Sequence, residues 1–354
     1  MIDAWIGKKI GLAEGEPLTR ESLDVYRLAA LRRTLALAKS NSRYYSRVLA
    51  GIDPLHDIGS LADIAKLPLM SEADLVEQGT ALACVPASGI SRIVTLPTSG
   101  TTGEPKRVYF TEADQELMID YIANGLKVMT ESGGVWLILM PVERPGSVGD
   151  LVRIGLERIG CEVIALGILP FDGSGDGDAI ALMERRGVNS ILATASAAAR
   201  LAAKSAGGAV DGAAGETASA SSAVSASMRT VLLSAEYVSE SAKEFIEDSW
   251  GCEVYEHYGM TEMGLGGAMA CEARVGYHPR EADLIFEIID PDTGEPLPDG
   301  EWGEVVFTTL TREAMPFIRY RTGDRSRFIK EPCPCGSILQ RLDRVCDRRA
   351  VKGY

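Results

Sequence analysis

The decapeptide Pro97-Thr-Ser-Gly-Thr-Thr-Gly-Glu-Pro-Lys106 gathers hydroxyls, two glycines and one lysine behind an apolar run. These groups suit phosphate oxygens. Gly100 and Gly103 can adopt positive φ and let backbone N–H groups approach an anion, Ser99, Thr101 and Thr102 donate hydrogen bonds, and Lys106 adds a compact positive charge. The spacing differs from the GxxxxGK[ST] of a P-loop, and a glycine- and threonine-rich turn before a strand is the plain alternative. A second set, Cys271, His278, Cys333 and Cys335, supplies three thiols and one imidazole. That is the number and type of ligands in a closed tetrahedral zinc site. The opposing reading makes Cys271 a small buried apolar residue, His278 a surface residue before Pro279, and Cys333-Pro-Cys335-Gly336 a reverse turn.

The elements around these residues follow from periodicity. Leu23, Tyr26, Leu28, Leu31, Leu35 and Leu37 fall near helical spacing, so residues 20 to 90 read as mainly helical packing. From residue 91 apolar runs alternate with helical stretches: Ile93 to Leu96, the glycine loop, Arg107 to Phe110, a helix over 112–130, and Val135 to Met140. A helix through Leu151 to Ile159, a strand at Glu162 to Leu166, another helix and a strand at Ser190 to Ala193 follow. Thr230 to Leu233, a helix over 239–249 and Cys252 to Tyr255 lead into the loop His257-Tyr-Gly-Met-Thr-Glu262. This order predicts an α/β fold with a mostly parallel sheet covered on both faces and ligands beyond the C-terminal strand ends. Beyond residue 282, strands are predicted at Leu284 to Ile289, Gly303 to Thr308, Phe317 to Tyr320 and Ser326 to Ile329, forming a small antiparallel β subdomain. Residues 205–227 are almost all Ala, Gly and Ser, too little apolar surface to offset ordering, and read as a flexible surface insertion.

A formal net charge of −14 argues against nucleic-acid and anionic-membrane surfaces, which need clustered Lys and Arg. An anionic ligand therefore needs a local cationic pocket. The N-terminal text lacks the pattern of a signal peptide, and the longest apolar run, Val135 to Val142, is too short to span a bilayer, which points to a cytosolic protein. Seven cysteines is an odd count, and Cys84, Cys161, Cys252 and Cys346 are scattered singly, so no disulfide framework is expected.

Four segments in this order, the glycine loop, Tyr258-Gly-Met-Thr-Glu262, Arg319-Tyr-Arg-Thr-Gly-Asp324 and Arg341-Leu-Asp-Arg-Val-Cys-Asp347, resemble the adenylate-forming superfamily of acyl-CoA synthetases. The text DPDTGEPLPDGEWGEVVFTTLTREAMPFIRYRTGD resembles its phenylacetate-CoA ligase-like branch most closely. The resemblance implies a large adenylate-forming N-terminal domain with mixed and parallel sheets. It implies a division into residues 1–90, helical; 91–281, the nucleotide-binding body; 282–342, the β-rich subdomain; and 343–354, a hinge remnant. It also implies that Thr98, Ser99, Gly100, Thr101, Thr102, Gly103 and Lys106 wrap the ATP triphosphate. Tyr258 would stack on adenine, Ala235 and Glu236 would line its pocket, and Thr261 would bond the α-phosphate. Glu262 would hold Mg²⁺, Asp324 would take the ribose hydroxyls, and Arg344 would contact ribose or phosphate. Members of the branch look similar around the Cys and His set, which would make its zinc structural.

The implied reaction joins a small carboxylic acid, aryl or related, to ATP as an acyl-adenylate with loss of pyrophosphate, and then passes the acyl group to coenzyme A. Positioning and charge neutralisation suffice for the first step. The family places a mobile lid of about one hundred residues, bearing an assisting lysine, after the hinge, where this sequence reaches Tyr354. Cys346 stands where the hinge aspartate is usual. A homodimer, or a partner supplying a lid, is one expectation. A lidless module that binds ATP or adenylate with the first half-reaction only, or with no turnover, is the alternative.

Overall fold

The structure, a computed structural model, describes residues 2–96, 105–206 and 223–346. In chain order, helices α1 (Ile2–Ile10), α2 (Arg20–Asn41), α3 (Arg43–Val48) and α4 (Glu72–Gln78) precede strands β1 (Arg92–Leu96) and β2 (Lys106–Phe110). Then come α5 (Glu112–Gly125), β3 (Val135–Ile138), α6 (Val148–Arg158), β4 (Glu162–Ala165), α7 (Asp176–Arg186), β5 (Ser190–Ala193) and α8 (Ala195–Ser205). Next are α9 (Ala223–Ser227), β6 (Thr230–Leu233), α10 (Glu240–Trp250), β7 (Glu253–Tyr258), and the two-residue strands β8 (Ala268–Met269) and β9 (His278–Pro279). Strands β10 (Leu284–Ile289), β11 (Gly303–Thr309) and β12 (Tyr320–Ser326) are the last regular elements among the described residues. Two compact units result: Met1–Met118 with Gly259–Ala268 and Val275–Tyr354, and Ile119–Tyr258 with Met269–Arg274.

The second unit is built on parallel strands in the order β4-β3-β5-β6-β7. Ser-Ile-Leu-Ala in β5 and Thr-Val-Leu-Leu in β6 are buried at every position, as strands covered on both faces must be. Leu137, Met183, Ile191, Leu201, Val231 and Trp250 share their core. The strand order reverses between β3 and β5, where α/β sheets open a crevice at their C-terminal ends. Just past β3, Gly149 of α6 donates its N–H to the Pro141 carbonyl at 2.8 Å. A Cβ there would stand 2.4 Å from Val142 Cγ1, so only glycine fits.

In the first unit, Thr19 caps α2, whose Leu23, Ala30, Leu31, Leu35 and Ala38 are buried. The antiparallel pair β1 and β2 sets Leu96 opposite Lys106, which fixes both ends of the connecting loop. The order β10-β11-β12 is antiparallel, with Phe286, Phe307, Phe317 and Tyr320 packed as an aromatic cluster.

The fold is the α/β arrangement with a small antiparallel sheet that the sequence predicts, with three local differences. The last two predicted strands are replaced by β12 alone, Tyr320–Ser326. Arg319 breaks the chain before it, with φ of 47°, and is held there by a buried ion pair to Glu287 at 2.9 Å and by the Leu67 carbonyl at 2.9 Å. The helix predicted over 112–130 stops at Gly125 and tightens into a 3₁₀ turn, Leu126–Val128. The flanks of the 205–227 insertion belong to the second unit: Ser205 Oγ accepts from Trp250 Nε1 at 2.8 Å, and Val224 of α9 is fully buried. Residues 207–222 lie outside the described residues. Among the described residues no helix is long and apolar enough to cross a membrane.

Candidate active site

Lys106 opens β2, and its Nζ lies 2.7 Å from Glu262 Oε1 and 3.1 Å from Glu72 Oε1. The Glu262 side chain is 1% exposed and that of Glu72 39%. The Tyr320 hydroxyl donates to the same Glu262 Oε1 at 3.4 Å, which leaves Oε2 outside both contacts. Burial opposes the charge on Lys106, but Glu262 and Glu72 override it and raise its pKa above the ordinary lysine value. Burial, followed by Glu262 and Glu72, also raises the Tyr320 phenol far above its ordinary value, so it is a donor at all physiological pH.

Glu262 sits in the 3₁₀ turn Thr261–Met263, which Gly264 terminates in the left-handed region at φ of 79°. A Cβ on Gly264 would lie 3.1 Å from Arg280 Nη2. Two buried arginines hold the turn: Arg312 donates to the Glu262 carbonyl at 2.7 Å, and Arg280 donates to the Met263 carbonyl. Asp324 lies on β12, its N–H donating to Thr322 Oγ1 at 3.0 Å, and Arg344 donates its N–H to Asp343 Oδ1 at 2.7 Å. Cys346 pairs its backbone with Arg325, and partial burial raises its thiol pKa. The loop residues Thr98, Ser99, Gly100, Thr101, Thr102 and Gly103 lie outside the described residues.

In the second unit, Ala235 and Tyr258 stand at the C-terminal ends of the neighbouring strands β6 and β7. Ala235 takes φ of 70°, a conformation that costs an L-residue about 1–2 kcal/mol and is kept where the surroundings impose it. The carboxylate of Glu236 is turned to the start of α8, where it accepts from Ser196 N at 2.5 Å and Ser196 Oγ at 3.3 Å. That is the helix N-terminal role of a carboxylate. Ser234 Oγ and His257 Nδ1 are 3.0 Å apart at the same strand ends.

The structure thus brings Lys106 and Glu262 into contact and adds Glu72, Tyr320 and Arg312, which sequence reasoning missed. Glu72 has no local signal beyond its place at the start of a capped helix. Arg312 does have one: an arginine between Leu310 and the apolar Ala314-Met-Pro-Phe317 needs partners if it is buried.

His278, Cys333 and Cys335 of the first unit bring their donor atoms within 4.8 Å of one another. His278 Nδ1 is 3.0 Å from the Gln340 carbonyl, so its Nε2 is the nitrogen that faces Cys335 Sγ, at 3.4 Å. Burial lowers the His278 pKa and keeps the imidazole neutral at pH 7, the form that binds metal. The Ser337 N–H donates to Cys335 Sγ at 3.5 Å. An imidazole oriented by a carbonyl beside thiols fits a zinc ion. Cys271 is buried in the second unit.

A family model described as AMP-binding enzyme matches residues 66–310. The phenylacetate-coenzyme A ligase of Thermus thermophilus is 31% identical over 354 residues, covering 96% of this chain and 75% of that protein. The phenylacetate-coenzyme A ligase of Escherichia coli (strain K12) is 30% identical, covering 94% and 72%. Among solved structures, a 2-hydroxyisobutyryl-CoA ligase in the postadenylation state superposes with a TM-score of 0.80 at 21% identity, over 94% of this chain and 69% of that one. That likeness is one of fold.

Proposed function

We propose a substrate class and residue roles for a chain that belongs to the AMP-binding enzyme family, on its phenylacetate-CoA ligase-like branch, and is an AMP-forming acid–CoA ligase. Its acid is an aryl or closely related carboxylic acid. A carboxylate oxygen attacks the α-phosphorus of ATP, forming the acyl–phosphate anhydride while pyrophosphate leaves. The coenzyme A sulfur then attacks the acyl carbon, forming the thioester while AMP leaves.

The observation that carries this reading is the contact of Lys106 with buried Glu262 at 2.7 Å, between two segments far apart in sequence. Lys106 and the Thr98 to Gly103 loop neutralise and orient the triphosphate, and Thr261 bonds the α-phosphate. Glu262 would hold Mg²⁺, since its buried carboxylate offers a hard oxygen in Oε2; the ion when bound supplies positive charge to the phosphates. Tyr258 stacks on adenine beside Ala235 and the backbone of Glu236, Asp324 accepts from the ribose hydroxyls, and Arg344 contacts ribose or phosphate. An enzyme working with ATP and CoA belongs in the cytoplasm. The reading as a binding module without turnover is not favoured, because four relatives near 30% identity carry ligase names.

The test is pyrophosphate release with a panel of aryl, fatty and amino acids, with and without coenzyme A. Release that requires an aryl acid and Mg²⁺ and disappears in Lys106→Ala and Glu262→Ala is expected. Tight nucleotide binding with no acid-dependent release would sink the proposal. For the Cys and His set we propose a structural zinc ion held by Cys271, His278, Cys333 and Cys335. Elemental analysis should find one zinc per chain, lost in Cys333→Ser together with thermal stability; zinc-free protein of unchanged stability ends that idea.

A further inference from the structure

We propose that Arg312 is the positioning residue that sets Lys106 against Glu262, by clamping the backbones of both segments with one guanidinium. The proposal rests on the reading of Lys106 and Glu262 as the pair that handles ATP and its metal ion. Nη1 of Arg312 donates to the Glu262 carbonyl at 2.7 Å, and Nη2 donates to the Tyr109 carbonyl at 3.0 Å. Tyr109 lies on β2, the strand that begins at Lys106. The guanidinium centre stands 4.2 Å from the Phe110 ring centroid and 5.3 Å from that of Phe317, contacts that favour its staying between the two carbonyls.

The loop bearing Arg312 is itself anchored. Asp114 Oδ1 accepts from Glu313 N at 2.8 Å and Oδ2 from Ala314 N at 3.0 Å. Burial pushes the Arg312 pKa down to about 10, which still leaves it charged at neutral pH. A buried charge is a poor way to gain stability, since well-packed apolar residues serve as well. A rigid planar fork does what they cannot: it fixes the separation of two carbonyls from segments distant in sequence. A lysine presents its donors from one nitrogen on a flexible stem and cannot reproduce the span of the fork; methionine donates to neither carbonyl.

The experiment compares Arg312→Met, Arg312→Lys and a core control, Phe286→Leu, in the intact chain below their thermal midpoints. The first readout needs no ligand: the rate of amine labelling at Lys106, followed by mass spectrometry at one fixed pH, reports how firmly its Nζ is held against Glu262 rather than open to the reagent. With the contact loosened, labelling in Arg312→Met should be about threefold faster than in the parent or more, with Arg312→Lys between them and Phe286→Leu at the parent rate. The second readout is acid-dependent pyrophosphate release. Arg312→Met should lower kcat by about tenfold or more and raise the Mg²⁺ requirement, leaving KM for the acid unchanged. Parent-like labelling in Arg312→Met overturns the proposal, as does the same acceleration in Phe286→Leu. Where Arg312→Met does not fold, Arg312→Lys decides: parent-like labelling overturns the clamp. A parent chain with no acid-dependent release sinks the proposed function, while the labelling comparison still decides the role of Arg312.

Discussion

Glu262→Gln separates charge from shape at the centre of the candidate site. The amide keeps the volume of a side chain that is 1% exposed, and its oxygen can still accept from Lys106 and Tyr320. What it loses is the negative charge that, with Glu72, raises the Lys106 pKa against burial and that would attract a divalent cation. Removing one preorganised electrostatic group from an active site costs about 10²–10³ in kcat. Removing one charge from a buried ion pair costs about 3–5 kcal/mol in the worst case. Here Lys106 retains Glu72 at 3.1 Å and is 13% exposed, which brings the expected stability loss to about 1–2 kcal/mol. For a chain of this size the thermal midpoint then falls by about 1–3 °C. Initial rates of acid-dependent pyrophosphate release and a circular-dichroism melt measure the two quantities. Because the side chains touch, Lys106→Met and Glu262→Gln combined should lose little more activity than either alone. A Glu262→Gln enzyme within about threefold of the parent rate would refute the assigned role.

Three further outcomes follow from other parts of the structure. The folded pKa of Lys106 is raised, so its contribution to stability is whole below about pH 10.4 and is lost as pH rises through the higher folded value; urea midpoints should fall there in the parent and level out in Lys106→Met. For Glu281, burial works to raise the pKa but Arg27 and Arg20 outweigh it, so stability is present above about pH 4.3 and lost as pH falls through the lowered value. Glu281→Gln should flatten that acid limb and cost about 3 kcal/mol at pH 7 in urea denaturation. Gly149→Ala would place Cβ 2.4 Å from Val142 Cγ1 and 2.7 Å from the Pro141 carbonyl, costing about 1–3 kcal/mol; an unchanged melt would show that α6 does not seat on that loop.

The parallel strands were legible because Ser190-Ile-Leu-Ala193 and Thr230-Val-Leu-Leu233 are apolar at nearly every position, as strands covered on both faces must be. Strand β12 was not: Tyr-Arg-Thr-Gly-Asp-Arg-Ser has no apolar alternation, and its pairing is imposed by β11 rather than by its own pattern. The chain break before it rests on Arg319, whose buried partners Glu287 and Leu67 come from elsewhere in the sequence. The same limit applies at the site. Motif order singled out Lys106 and Glu262 as residue types suited to phosphate and metal, but nothing in local spacing signals that Glu72, Tyr320 and Arg312 converge on them. Convergence is a property of tertiary packing.

That convergence bears on how an acidic protein receives a polyanion. With a net charge of −14, the chain repels ATP at long range, so a cation must be kept charged and waiting. Lys106 is held so by two carboxylates of unequal exposure. Glu262, buried, cannot leave without uncovering its own charge, whereas Glu72, 39% exposed, can return to water. An exposed ion pair is worth only about 0–1 kcal/mol, so exchanging Glu72 for a phosphate oxygen costs little. On the proposed role of Lys106, the arrangement would keep one carboxylate as a fixed partner and the other as a replaceable one, so that the lysine could take up an anion while keeping its contact with Glu262.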